Sequence, residues 1–136
     1  MKFKKTHKNA VTPFYATKGS AAMDLTAIEV EMIDKNYVKY NFGLAFEIPQ
    51  NKVGLIFPRS SCYKQRQLLS NCVGVIDSDY RGSISAVMKG TGNKAYIENE
   101  RVAQILFIDS KQEELEEVKE LSQTNRGENG YGSTGK

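Results

Sequence analysis

The chain is predicted to be all-β, a sandwich or barrel: its apolar residues come in short runs, several runs alternate with period two, and turn-forming residues separate them. The first run, 30–33, stops at Asp34-Lys35-Asn36, and the next, 38–46, at Pro49-Gln50-Asn51. A third run covers 53–57 and ends at Pro58. Beyond it, R-S-S-C-Y-K-Q-R-Q supplies a capping serine and helix-tolerant residues, so a short helix is expected to start near Ser60 or Ser61. Residues 68–76 form the next run, closed by Asp77-Ser78-Asp79. Residues 83–88 alternate through Ile84, Ala86 and Met88 before Gly90-Thr91-Gly92-Asn93. The last run, 101–108, sets Val102, Gln104 and Leu106 against Ala103, Ile105 and Phe107. Residues 111–121, K-Q-E-E-L-E-E-V-K-E-L, have helical propensity with Leu115, Val118 and Leu121 at helical spacing, which reads as a solvated surface helix.

The 136 residues suit one domain, able to bury about two-thirds of its unfolded surface. A hydrophobic fraction of 40% and a charged fraction of 26% are those of a soluble globular protein, and no apolar run approaches a membrane span. The basic start M-K-F-K-K-T-H-K has no apolar stretch after it, so it is not read as a secretory signal and a cytoplasmic location is expected. Cys62 and Cys72, with His7 the only histidine, make no metal set and are read as reduced, packed thiols. A net charge of +3 is too small to argue for nucleic acid. Lys2, Lys4, Lys5 and Lys8 are read as a solvated strand edge, and the positive balance favours a small polyanionic ligand.

Five segments carry the chemistry. G-V-I-D-S-D-Y-R-G at 74–82 brings Asp77, Asp79, Tyr80 and Arg81 together at one strand end, either as a polar turn tip or as a site where a partly desolvated Asp77 serves as general base for a water. G-S-A-A-M-D-L-T-A places Asp24 among small and apolar residues, as a turn aspartate or as an acid that needs an amide, an arginine or a hydrated metal. P-R-S-S offers the Arg59 guanidinium and the hydroxyls of Ser60 and Ser61, donors suited to phosphate as well as to an ordinary surface. Gln104, in an apolar strand, satisfies backbone groups or contacts a ligand. The closing R-G-E-N-G-Y-G-S-T-G-K is either a solubilising tail or a mobile anion-binding flap whose glycines expose amide donors.

In this order, A-A-M-D-L, P-R-S-S, G-V-I-D-S-D-Y-R-G, R-V-A-Q and R-G-E-N-G-Y-G-S-T-G resemble the five motifs of the trimeric deoxyuridine triphosphatase (dUTPase) family, over about residues 21–135. The resemblance implies a jelly-roll-like β-barrel or sandwich with one short helix, a β domain over 1–123 and a flexible flap over 124–136, assembled as a homotrimer whose sites draw on all three subunits. It implies hydrolysis of dUTP to dUMP and pyrophosphate with Mg²⁺, which limits uracil in DNA and supplies dUMP for thymidylate synthesis. In that setting Asp77 activates the water that attacks the α-phosphorus, and Tyr80 packs under the deoxyribose. Asn71, the backbone of Gly74, Val75, Ile76 and Asp77, and the returning strand near Ser85 read uracil in a narrow hairpin. Arg59, Ser60, Ser61 and Gln104 hold phosphates, while Asp24 orders a water on a metal held mainly by the triphosphate. Arg126 neutralises charge, Tyr131 stacks on the base, and Gly132, Ser133 and Thr134 cover the outer phosphates.

The resemblance also implies an extended 111–121 that crosses to a neighbouring subunit, against the helical reading from propensity. Tyr131 stands where the family usually has Phe, Ser61 where Gly is frequent, and Gln65-Arg66-Gln67 lacks the glycine that often ends the short helix. A dCTP deaminase shares this fold but normally lacks the Asp-Tyr pair and the aromatic flap. A partner-binding role for the same fold has no inserted segment to support it. A nucleic-acid reading of the N-terminal lysines lacks interleaved aromatic residues.

Overall fold

The computed structural model describes residues 1–90 and 95–130. Among these residues ten strands and one 3-10 helix follow in order: β1 Lys2–Lys5, β2 Met23–Thr26, β3 Glu29–Met32, β4 Tyr37–Asn41, β5 Leu44–Glu47, β6 Lys52–Pro58, the 3-10 helix Ser60–Gln65, β7 Gln67–Leu69, β8 Gly74–Ile76, β9 Ser85–Gly90 and β10 Arg101–Asp109. Two four-stranded sheets, ordered β2-β10-β6-β8 and β3-β4-β9-β7, are accompanied by a two-stranded β1-β5 ribbon. Leu25, Ile56, Val102 and Ile105 from the first sheet share one core with Val38, Tyr40, Ala86 and Met88 from the second. The sheets are open, so the fold is the sandwich form of the all-β expectation, with the crossing strand order of a jelly roll.

The runs were legible where side chains alternate, and the structure divides two of them. Residues 38–46 break into β4 and β5 at Gly43, whose φ of +63 turns the chain. A Cβ there would lie 2.5 Å from Ile28 Cδ1, so close packing as well as backbone geometry demands glycine. Residues 68–76 break into β7 and β8, with Cys72 at φ 62 in the intervening turn. Cys72 is therefore exposed and Cys62 only half-buried, in contrast to the packed thiols expected, and both are free. The turn expected at 90–93 lies, beyond Gly90, outside the described residues.

The short helix starts at Ser60 as expected, but Ser60 does not cap it: Arg59 is the N-cap residue, and no side chain bonds the free amides. It is a 3-10 helix, and Arg66 at φ 51 occupies the left-handed position where glycine was missed. Residues 111–121 form neither helix nor strand, which overturns the helical reading from propensity. Leu115 and Leu121 are 95% and 86% exposed, so no apolar face is buried to stabilise a helix of this length. No helix among the described residues is long and apolar enough to cross a membrane.

Candidate active site

Strand β10 runs between β2 and β6, and an irregularity in its register decides what the site can be. Ala103 pairs with Leu25 and Gln104 with Asp24, but Arg101 pairs with Thr26, so one residue is extra between Arg101 and Ala103. Under strict alternation Arg101 would point to the core with Ala103 and Ile105. The bulge reverses the phase: Val102 and Ala103 are both buried, and Arg101 faces outward. Its Nη1 donates to Asp24 Oδ2 at 2.9 Å, while Arg59 Nε donates to Asp24 Oδ1 at 2.8 Å.

Asp24 is thus the buried acid expected from its neighbours, and its partners are two guanidinium groups. Its side chain is 8% exposed against 25% for Arg59 and 45% for Arg101, so two partly wet cations compensate one nearly dry carboxylate. The outer side of β2 is occupied as well, since Asp24 N–H donates to Phe14 O at 2.9 Å. Arg59 is held further by Nη1 contacts to Arg101 O at 3.3 Å and Ser61 Oγ at 3.5 Å. Gln104 is half-buried, and its amide donates to Pro58 O at 3.0 Å, the backbone role that was one of its two readings. Asp24, Arg59, Ser60 and Gln104 line one cleft of about 600 Å³. Ser61 turns to the other flank of Arg59, where its hydroxyl meets Tyr96 Oη at 3.4 Å.

The second group lies at the opposite edge of the same sheet. β8 is the outer strand beside β6, with Gly54 facing Ile76 and Ile56 facing Gly74, so its far side carries no ladder partner among the described residues. Its amides and carbonyls there are available to a flat heterocycle with alternating donors and acceptors. A pocket of about 210 Å³ gathers Val75, Ile76, Asp77, Tyr80 and Ser85. The hairpin expected here is not a paired one: β8 joins β6, whereas β9 joins β4 and β7 in the other sheet. The pocket therefore opens between sheets, because residues 77–84 carry the chain from one to the other.

Within that connection the ring of Tyr80 lies over Gly82, where a Cβ would come 2.3 Å from its oxygen. Tyr80 Oη donates to Ser83 O at 3.3 Å, and Tyr80 N–H donates to Asp77 O at 3.2 Å. Arg81 is spent on the turn, with Nη1 donating to Ser78 O at 2.6 Å and Tyr80 O at 3.0 Å. Asp77 is exposed in the single chain, in contrast to the partial desolvation expected from its apolar neighbours. Asn71 stands beside Gly74, its Nδ2 3.8 Å from where a Cβ would be.

The single chain thus assembles two half-sites, one on β2, β10 and the end of β6, the other on β8 and its turn. Two strands separate β2 from β8, which at about 4.8 Å per step puts the half-sites roughly 14 Å apart across the sheet. Arg126 lines neither: its Nε donates to Asn129 O at 3.0 Å within a local turn. Tyr131, Gly132, Ser133 and Thr134 lie outside the described residues. Sequence reasoning missed Arg101 as a member of the first half-site. The signal was the adjacent apolar pair Val102-Ala103, which breaks the alternation immediately after it.

The dUTPase family model matches residues 8–135. The chain is 41% identical to the deoxyuridine 5'-triphosphate nucleotidohydrolase of Nautilia profundicola, over 100% of this chain and 99% of the relative. It is 36% identical to the enzyme of the same description from Hydrogenobaculum sp., over 97% and 95% of the two chains. Its fold is similar to that of the Staphylococcus bacteriophage 80alpha dUTPase solved with dUPNHPP, with a TM-score of 0.85 and 24% identity over 98% of this chain and 97% of that one.

Proposed function

The chain belongs to the dUTPase family, and from that premise we propose how its residues divide the work of a dUTP diphosphatase, which hydrolyses dUTP to dUMP and pyrophosphate. The observation that carries this division is the pair of half-sites at opposite edges of one sheet, one suited to phosphates and one to a nucleoside. Neither is complete alone. Each is completed by a second copy of the chain, which supports a homotrimer with sites between subunits.

In the nucleoside half, the free edge of β8 reads the uracil edge with Asn71, and fixed main-chain groups reject cytosine, whose amino group reverses the pattern. Tyr80, held over Gly82, lies under the deoxyribose and leaves no room for a 2′-hydroxyl. Asp77, at the start of the same turn, accepts a proton from the water that attacks the α-phosphorus in line. Its exposure in the single chain lets water reach it, and burial by the neighbouring subunit supplies the desolvation.

In the phosphate half, Arg59, Ser60 and Gln104 hold the phosphates of a nucleotide seated on the neighbour, and Ser61, on the other flank, acts through the Arg59 guanidinium that it contacts rather than on the phosphates. Asp24 and Arg101 keep the Arg59 guanidinium in position. Among the described residues no three or more His, Cys, Asp or Glu groups converge as a metal cage. Asp24 still fits an outer-sphere role, because each of its oxygens accepts one N–H and keeps a lone pair for a metal-bound water. A Mg²⁺ ion held mainly by the triphosphate would meet Asp24 through water, and when bound it would neutralise charge on the phosphate oxygens. Arg126, Tyr131, Gly132, Ser133 and Thr134 close over the site from the third subunit, and the enzyme acts in the cytoplasm.

Pyrophosphate release measured from dUTP, dCTP, dTTP and UTP, with and without Mg²⁺, tests this reading. Turnover of dUTP alone, dependent on Mg²⁺, is the expected result. Comparable turnover of dTTP or UTP would refute the assigned base and sugar contacts, and deamination of dCTP would point to the related deaminase chemistry. A catalytically competent monomer would refute the division between subunits.

A further inference from the structure

The flank of Arg59 that faces away from Gln104 opens on another cleft, of about 350 Å³, between the 3-10 helix and the segment that enters β10. Arg59 and Lys64, at the two ends of the 3-10 helix, and Arg101, at the start of β10, reach it, with Ser61 and Asn99 as neutral donors and Glu100 as the one acid on its wall among the described residues. One oxygen of Glu100 is engaged by the backbone, since its Oε2 accepts from Ile97 N–H at 2.8 Å. Asn99, at φ 69, is anchored by its N–H donating to Ala27 O at 2.8 Å, so this wall is fixed before any ligand arrives.

The charge count favours an anion. Asp24 compensates one of the two arginines that it touches, and Glu100 a second cation, which leaves a surplus of one positive charge. Lys64 forms no ion pair among the described residues. Arg59 gives Nε to Asp24 and Nη1 to Arg101 O and Ser61 Oγ, which leaves its Nη2, while Arg101 gives Asp24 one N–H of Nη1 and keeps further donors. The Nη2 of Arg59 and the open donors of Arg101, beside a movable ammonium, suit a compact polyphosphate with several acceptor oxygens.

We propose that this cleft is a second polyphosphate site, which takes inorganic pyrophosphate through Lys64 and the outer nitrogens of Arg59 and Arg101. Its occupancy draws on the same guanidinium that grips the substrate, so pyrophosphate inhibits the enzyme other than by direct competition. The inhibitory consequence rests on the role given above to Arg59, whereas the binding does not.

Calorimetric titration of pyrophosphate into the trimer, first free and then saturated with a non-hydrolysable dUTP analogue, tests the site. The expected result is one pyrophosphate per chain in the saturated enzyme, with affinity at least tenfold weaker in Lys64→Gln and largely restored in Lys64→Arg. Lys64→Gln should leave kcat and KM for dUTP unchanged when pyrophosphate is removed as it forms. Absence of binding to the saturated enzyme would mean that the cleft only receives the nucleotide's own phosphates, and would overturn the proposal. Equal affinity in wild type and Lys64→Gln would overturn it too. Failure of wild-type enzyme to hydrolyse dUTP would sink the earlier reading alone, because Lys64-dependent binding to the free protein is measured separately.

Discussion

Replacing Gly82 by alanine should loosen the choice between deoxyribose and ribose while leaving the fold standing. The added Cβ would lie 2.3 Å from Tyr80 Oη, 2.5 Å from Cζ and 3.0 Å from Cε2. Ordinary contact needs about 3.5 Å, so the ring must move by more than roughly 1 Å. Tyr80 is 46% exposed and can swing outward, at the loss of its bond to Ser83 O. That loss costs about 0.5–1 kcal/mol of stability. Steric refusal of an added group is worth roughly 1–3 kcal/mol, so the ratio of kcat/KM for UTP to that for dUTP should rise about 10- to 100-fold. Paired kinetics on the two nucleotides, with circular dichroism as a check of folding, read this directly. A folded Gly82→Ala enzyme with the wild-type ratio would refute the placement of Tyr80 under the sugar.

Asp77→Asn should bind a non-hydrolysable dUTP analogue with near wild-type affinity while single-turnover hydrolysis falls by several orders of magnitude; near-normal turnover would remove Asp77 from the role of base. Asp24→Asn leaves two guanidinium groups uncompensated and should lower stability by roughly 2 kcal/mol, discounted for the partial exposure of both arginines, and the melting midpoint by roughly 6 °C. An unchanged midpoint in calorimetry would show that the triad contributes nothing to the fold. Deletion of residues 126–136 should leave the β domain folded with little activity, and full turnover by the shortened chain would eliminate the flap. Burial raises the Tyr40 phenol above its ordinary value of 10.0, so the unfolded chain ionises first and stability should fall as pH rises beyond about 10. Denaturant midpoints across the alkaline range check this, and Tyr40→Phe should flatten the decline.

Much of the fold was legible because strand alternation and turn chemistry act over a few residues. Ile84, Ala86 and Met88 are buried on one face of β9 and its approach, as their spacing required. Asp77 and Tyr80 could be paired on the page because four positions of chain already bring them together. The reading failed where a distant partner decides. Residues 111–121 have the composition of a helix, yet propensity without a buried face does not stabilise one. The same limit hid the break between β7 and β8, since only the choice of sheet separates two apolar stretches that read as one.

The sequence alone determined the all-β class, the order of the five motifs and the chemistry each could perform, since these reside in local spacing and residue type. Tertiary structure decided what those residues face. Arg59 and Arg101 reach Asp24 across 35 and 77 positions of chain, and a single extra residue in β10 turns Arg101 out of the core to do so. It also set Asp24 and Asp77 at opposite edges of one sheet, because strand order follows from which backbone edges pair, a non-local competition that no short window of sequence records.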